Sequence, residues 1–363
     1  MEKEITIYDI AKQVNVSAAT VSRALNSHPG ISSKTKNLIQ SKAVELGYRS
    51  NKFATNLRNK KTHTIGVIVP RLNSYFMSTV LAGMEKVANE SGYNLLISQS
   101  LESEKKEIIN AQTMFQSRVD ALLVSLAYDT EGVEHFQGFI DKGVPILFFD
   151  RTPQDFDCPN IVIDNKKAAY EVTKHLIEQG CKRIVHATSS LKRNVYIDRF
   201  EGYKSALSEY GICYDENLIF ESYLTYEDAI EIADKILNMK PLPDGLFTAN
   251  DTFAVSVIKI LKKNGLNIPF DIAVAGFNDD PIATVIEPNL TTIHYPGKEM
   301  GEVAMQSVIN HLNSTLNINP SNTTLLHSKL IIRDSSLRKN LQSAKDFYNC
   351  SYHRPIIPSF HPI

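Results

Sequence analysis

The chain has 363 residues, enough for two or three domains with a sizeable core. Its 43% hydrophobic and 22% charged residues are ordinary for a soluble globular protein and exclude a fibrous or wholly disordered one. The net charge of −1 conceals a split: residues 1–61 hold 11 Lys and Arg against 4 Asp and Glu (+7), and the remainder holds 28 against 36 (−8). A basic N-terminal segment on an acidic body suits a polyanionic partner; a basic tail without a partner has the same composition. Cys158, Cys181, Cys213 and Cys350 are scattered with no C-x-x-C pair, so neither a zinc site nor a disulfide framework is implied. The start, MEKEITIYDI, lacks the apolar region of a signal peptide, and no apolar run approaches a membrane span, so the expected location is cytoplasmic.

Thr6-Ile7-Tyr8-Asp9 reads as a capping box with Asp in place of Glu. Ile7, Ile10, Ala11 and Val14 follow at helical spacing and predict a short amphipathic helix. Ser17 is a good N-cap for a second helix, with Val16 and Val21 placed as a hydrophobic staple. In that helix Val21, Ala24 and Leu25 share one face, and Ala19, Ser22, Arg23 and Asn26 point away from it. His28-Pro29-Gly30 breaks the chain. A third helix starts near Ser32 or Ser33, lines up Thr35, Ile39, Ala43 and Leu46, and ends at Gly47. Three short helices with a tight turn between the first two make a helix-turn-helix; a small bundle for protein contacts is the alternative. The small, polar outward face of the second helix favours DNA, because it lets the backbone approach the major groove and leaves one arginine to bond guanine.

Residues 51–59 are polar except for Phe53, Ala54 and Leu57. The segment is too short to be a stable isolated helix and reads on its own as a linker. Beyond it, the apolar runs 63–69, 94–98, 121–126 and 145–149 alternate with helical patterns, and a second series follows at 183–188, 218–220, 246–250 and 272–277. Such runs predict parallel sheets covered on both faces. Two series predict two Rossmann-like lobes with a ligand cleft between them. No G-x-G-x-x-G follows a strand, and no G-x-x-x-x-G-K-[ST], H-E-x-x-H or G-x-S-x-G occurs, which weakens an enzyme reading. The ten histidines form no metal-like cluster, and no cofactor or metal is expected.

The stretch TIYDIAKQVNVSAATVSRALN…ISSKTKNLIQSKAVELGYRSNKFATNLRNKKTHTIGVIVP resembles the lactose-repressor (LacI/GalR) family of bacterial transcription regulators, in order and in spacing. The resemblance implies an α/β chain: a three-helix headpiece at 1–50, a hinge helix at 51–61, and a two-lobed, periplasmic-binding-protein-like effector domain at 62–337. Lobe 1 would take about 62–162 and 294–320, and lobe 2 about 163–292 and 321–337; the tail 338–363 is unassigned. It implies DNA contacts at Thr6, Tyr8, Ser17, Ala18, Ala19, Thr20, Ser22, Arg23 and Asn26, and in the hinge at Asn51, Ala54 and Leu57, with Leu57 as the wedge that enters the minor groove and kinks the operator. Ala18 and Ala19 stand where other members carry larger specificity residues, so little direct base reading is expected from the second helix beyond Arg23.

Ligands of α/β lobes gather at the C-terminal ends of strands. By the same resemblance, effector contacts fall at Asn73, Tyr75 and Phe76 after the first strand, at Asp150 in PILFFDR, at Arg193 and Arg199, at Asn250 in T-A-N-D, and at Asn278. Core packing for Phe76, a cap or ion pair for Asp150 and a surface ion pair for Arg199 are the plain structural alternatives. Asn278 departs from the pattern, since the family usually has Asp there; a lost charged acceptor favours a ligand that is itself acidic. LTTIH (290–294) resembles the family's crossover between lobes, and IIRDSS (331–336) its closing strand. The tail lacks the leucine heptads of a tetramerising coiled coil, so a dimer is expected. The function implied is a sugar-responsive repressor of carbohydrate-metabolism genes that binds a pseudopalindromic operator. A sugar sensor acting mainly through a protein partner is second, and a sugar-processing enzyme third.

Overall fold

The structure is a computed structural model that describes residues 5–48, 61–154, 156–314 and 322–338. The expected hinge, with Asn51, Ala54 and Leu57, lies outside the described residues, as do Cys350 and the tail from 339 onward. Residues 1–62 and 63–363 are two separate compact units.

The first unit holds helices α1 (Ile7–Gln13), α2 (Ala18–Leu25) and α3 (Ser33–Glu45). The Asp9 carboxylate accepts from the backbone N–H of Thr6 at 2.8 Å and from its hydroxyl at 2.6 Å, which fixes the start of α1. Ser17 caps α2 by accepting from Thr20 N at 3.2 Å, and Ser32 caps α3 by accepting from Thr35 N at 3.2 Å. Gly47 follows α3 in the left-handed region at φ 66°, which is open to glycine at no steric cost. Ile10, Ala11, Val21, Ala24, Ile39 and Ala43 form the core of this unit, flanked by Ile7, Val14, Val16, Leu25 and Leu46. These are the positions that the helical spacing selects.

The second unit continues in chain order with β1 (Thr64–Val69), α4 (Tyr75–Glu90), β2 (Asn94–Gln99), α5 (Glu104–Gln116), β3 (Ala121–Val124), α6 (Gln137–Asp141), β4 (Ile146–Phe149) and β5 (Asn160–Ile163). Then come α7 (Asn165–Glu178), β6 (Ile184–Thr188), α8 (Asn194–Glu209), β7 (Ile219–Glu221), α9 (Tyr226–Asn238), β8 (Gly245–Thr248), α10 (Asp251–Lys263) and β9 (Ala273–Ala275). The chain closes with β10 (Thr292–His294), α11 (Gly297–Leu312), β11 (Thr323–Leu326) and β12 (Lys329–Ile331). The first sheet runs β11-β5-β4-β3-β1-β2 and the second β7-β6-β8-β9, all pairings parallel; β10 and β12 pair antiparallel between them.

Each sheet is covered on both faces, which is why its strands read as near-continuous apolar runs. In β1, Ile65, Val67 and Val69 face one core with Val80 and Met84 of α4 and Ala304 and Met305 of α11. Ile68 faces the opposite core with Ala111, Met114 and Phe148. On the outer side of the second sheet, Val185, Leu246 and Val274 meet Ile232 and Ile236 of α9 and Val257 and Leu261 of α10.

The eight expected strands are present with ends shifted by a few residues. Four more are three or four residues long, too short to show a periodicity: β5 and β11 were not expected, β10 falls in the expected crossover, and β12 ends at Ile331, where the expected closing strand 331–336 would begin. β11 pairs with β5 at the edge of the first sheet, although residues 321–337 were expected in the second lobe. The parallel register Thr323↔Asn160 to Leu326↔Ile163 draws the chain back after α11. Among the described residues no helix is long and apolar enough to cross a membrane.

Helices α4 and α11 touch backbone to backbone. A methyl group on Gly83 would run into the carbonyl oxygen of Lys298, and one on Gly301 into that of Val80. Gly301→Ala should therefore force the helices apart and lower the stability of this unit by about 1–3 kcal/mol, read as a drop in its urea or thermal unfolding midpoint.

Candidate functional site

In the first unit the outward face belongs to α2 and the start of α1. Tyr8 is 71% exposed, and Thr6, Ser17, Ala19, Arg23 and Asn26 are exposed. Ser17 and Thr20 share a hydrogen bond between hydroxyls at 2.9 Å, and the Asn26 side-chain amide donates to Ser22 O at 2.9 Å. These bonds pin the small polar groups close to the helix, so Arg23 is the long side chain left free to reach outward. Thr20 and Ser22 are half-buried. Ala18 differs from expectation: it packs partly against the headpiece core, because the first turn of α2 leans on the staple formed by Val16 and Val21.

In the second unit the strand ends of both sheets converge. Asp150, at the end of β4, is buried, and its carboxylate accepts from Tyr295 Oη at 2.7 Å and from Ser125 Oγ at 3.4 Å. Burial pushes its carboxyl up, against the pull of Arg151, Tyr295 and Arg199. Arg199, on α8, donates to Asn165 Oδ1 at 2.9 Å and to Ala249 O at 3.0 Å, and its guanidinium lies 3.6 Å from the centroid of Phe277. Phe76 stacks on Tyr295 with centroids 4.2 Å apart. The backbone of Asn278 brackets the crossover: its N–H donates to Ile293 O at 3.0 Å, and its carbonyl accepts from Tyr295 N at 3.4 Å. Phe76, Asp150 and Arg199 are thus drawn together around the Tyr295 side chain, and Asn278 meets the Tyr295 backbone.

A cavity of about 530 Å³ opens beside this cluster, with Tyr75, Phe76, Asn278, Asp280, His294 and Tyr295 among its lining residues. Aromatic rings beside amide, imidazole and carboxylate groups can hold a polar ring-shaped ligand. Asp279 and Asp280 line the same cavity. Asp279 is held by Arg333 at 2.7 Å and by His294 at 3.2 Å, whereas one oxygen of Asp280 is buried without a hydrogen-bond partner. The replacement of Asp by Asn at 278 therefore leaves carboxylates beside it.

Three expected positions stand apart from this cluster. Asn73 is exposed on the loop before α4 and does not line the cavity. Arg193 is buried and donates to Thr130 O, its Nε unpaired, and burial pulls its guanidinium down. Asn250, expected to meet the effector, is instead taken up as a helix cap, and Asp251 beside it turns inward. Asn250 caps α10 by accepting from Phe253 N at 2.8 Å. Asp251 is buried, and its carboxylate accepts from Thr292 Oγ1 at 2.6 Å and from Asp280 N at 2.8 Å, tying α10 to the crossover and to the loop after β9.

Four residues outside the expected contacts complete the junction. Arg151 donates to Glu102 Oε2 at 2.7 Å and to Tyr196 Oη at 3.2 Å, and lies 4.1 Å from the Tyr128 ring centroid. Tyr128 and Tyr196 share a hydrogen bond between hydroxyls at 2.9 Å, and Asn194 bonds the backbone of both Asp150 and Thr152. Asn194 and Tyr196 lie between Arg193, the N-cap of α8, and Arg199, which is a usable signal; Tyr128 carries none. Cys158, Cys181 and Cys213 are free thiols. Among the described residues no group of three or more His, Cys, Asp or Glu side chains is placed to hold a metal ion.

A capped helix-turn-helix with an outward arginine, joined in one chain to a two-lobed parallel α/β body, defines a DNA-binding regulator built on a periplasmic-binding-protein-like domain. Residues 6–51 match the bacterial regulatory proteins of the lacI family, and residues 173–336 match the periplasmic binding protein-like domain. The chain is 32% identical over 310 residues to catabolite control protein A of Priestia megaterium, covering 85% of this chain and 93% of that one. It is 32% identical over 331 residues to the NTD biosynthesis operon regulator of Bacillus subtilis (strain 168), covering 91% and 99%. Its fold is that of the lac repressor dimer solved with operator and the anti-inducer ONPF, with a TM-score of 0.82 at 22% identity over 93% of this chain and 100% of that one. The protein belongs to the lacI family of bacterial transcriptional regulators. Its relatives are regulators, and it is not an enzyme.

Burial raises the Asp251 carboxyl to about 7 and the Asp280 carboxyl to about 6. A carboxyl raised above its unfolded value favours the folded state at low pH, and this advantage is lost as pH climbs through the folded value. Asp251→Asn should therefore gain in melting temperature relative to the unsubstituted protein as pH rises from about 4 to about 8. Parallel pH profiles of the two proteins would show it as a narrowing or reversed difference, and parallel curves would refute it.

Proposed function

We infer that the protein is a homodimeric repressor of carbohydrate-metabolism genes that binds a pseudopalindromic operator and answers to a small sugar-like effector held between its lobes. The observation that carries this reading is the convergence of Phe76, Asp150, Arg199 and Asn278, from both lobes, on one point at the strand ends. Ligands of doubly wound sheets bind at such ends. An effector that favours one lobe arrangement changes DNA affinity through the coupling between two states.

On the DNA side, α2 would enter the major groove once per half-site, with Arg23 bonding a guanine. The exposed Ala19 and the inward Ala18 leave few other base contacts on that helix. More of the selectivity then falls to the hinge, where Asn51, Ala54 and Leu57 would act in the minor groove and read DNA shape.

On an operator selected from random duplexes, Arg23→Ala should lose roughly 1–3 kcal/mol of binding, concentrated at one base pair per half-site. An equal loss on every sequence would make Arg23 a phosphate contact. Leu57→Ala should bind the same operator more weakly and bend it less in a gel-mobility assay. Unchanged affinity and bend would remove the wedge.

A further inference from the structure

Tyr295 stands between β10 and α11 and is only 4% exposed. Its partners come from both lobes. Phe76, stacked at 4.2 Å, and Asp150, which accepts its hydroxyl at 2.7 Å, belong to the first. Phe277, edge-on at 6.0 Å, and Arg199, with its guanidinium 5.8 Å from the ring, belong to the second. Tyr203 is a useful contrast. It is as deeply buried, but its hydroxyl donates to the backbone oxygen of Ile184 at 2.8 Å, within the second lobe.

A flat ring, stacked on one aromatic face, met edge-on by a second ring and hydrogen-bonded through a hydroxyl to a buried carboxylate, is what a bound ligand presents at such a site. With the phenol gone, Asp150 would keep Ser125 as its hydroxyl partner, at the longer distance of 3.4 Å, and the first lobe would lose its stacking contact to the crossover.

We propose that Tyr295 is a tethered ligand: its phenol occupies the ring position of the inter-lobe site, bonds Asp150 of the first lobe while packing on Phe277 and Arg199 of the second, and sets specificity, since an effector that takes this position must displace it. The inference rests on the reading of the cleft as the effector site. It implies that the ligands admitted are those able to replace a planar hydroxyl-bearing ring between Phe76 and Phe277.

The full-length Tyr295→Ala protein, with phenol as the probe, tests this. The variant should show a larger radius of gyration by small-angle scattering than the unsubstituted chain. Phenol should restore the compact value and bind one per chain by calorimetry, roughly tenfold or more tighter than to the unsubstituted protein. Tyr203→Ala, which also loses a buried ring, should scatter as the parent does with and without phenol. The proposal is overturned if phenol binds Tyr295→Ala no better than the parent, or binds it with no change in scattering, for then Tyr295 only fills a core. Should Tyr295→Ala be unfolded, a ligand that binds the native state alone must restore it by mass action, and a circular-dichroism signal still lost at saturating phenol overturns the proposal equally. No DNA enters the measurement. A parent protein whose operator affinity ignores every effector would sink the functional reading and leave this result standing.

Discussion

Asp150, Arg151, Arg193 and Arg199 are all buried where the strand ends of the two sheets face each other, and the cost of taking charge out of water governs what surrounds them. Arg151 and Arg199 are met by oxygen atoms and ring faces, whereas Arg193 has the Thr130 carbonyl and keeps its Nε unpaired. Arg151 has Glu102, the Leu126 carbonyl, Tyr196 and the Tyr128 ring. Arg199 has Asn165, the Ala249 carbonyl and the Phe277 ring. Arg199 finds these partners within the second lobe, and Arg151 finds all but one within the first; the Tyr196 hydroxyl comes from the second, so the set around Arg151 is complete only while the strand ends stay close. A site of this kind is stiff against sliding and sensitive to any group that offers alternative hydrogen bonds.

The loops that carry these charges are also backbone-constrained. Asp150, Asn278 and Asp279 have φ of 58°, 117° and 59°, in a region that Asn and Asp tolerate better than other non-glycine residues. Such conformations are held by their surroundings and cluster where ligands are handled. Asn278 keeps this tolerance although it gives up the charge usual in the family. Its side chain and its backbone thus answer to different demands, and the carboxyl groups of Asp279 and Asp280 stand beside it in the cavity lining.

The headpiece was legible almost residue by residue, because caps and a 3.6-residue spacing are local properties: Ser17, Ser32 and Gly47 end the helices where short-range chemistry places them. The longer strands of the body were legible for the same reason. What the sequence hid is non-local. β11 and β12 have no pattern of their own and become strands through the edges they meet. Asn250 and Asp251 are adjacent acceptors at a helix start, and which of them caps is decided by Thr292, forty-one residues away. Tyr295 was invisible as a site residue because its partners lie 145 and 219 residues off; nothing near it in sequence distinguishes it from an ordinary core ring.

The order of strands in the first sheet has a consequence for how the protein is made. β5 is exposed at that edge until β11 joins it, and β11 follows every other strand of the two parallel sheets in chain order. The headpiece, complete by Tyr48 with its own core, can fold at once, because domains form as units from the N-terminus during synthesis. Until β11 emerges the chain therefore carries a finished DNA-binding module in front of a sheet with an unpaired strand edge, a feature prone to pairing with other chains. The segment that ends this exposure also returns the chain through β12 to the crossover, so the first lobe acquires its last strand and the second its tie to the crossover within the same few residues.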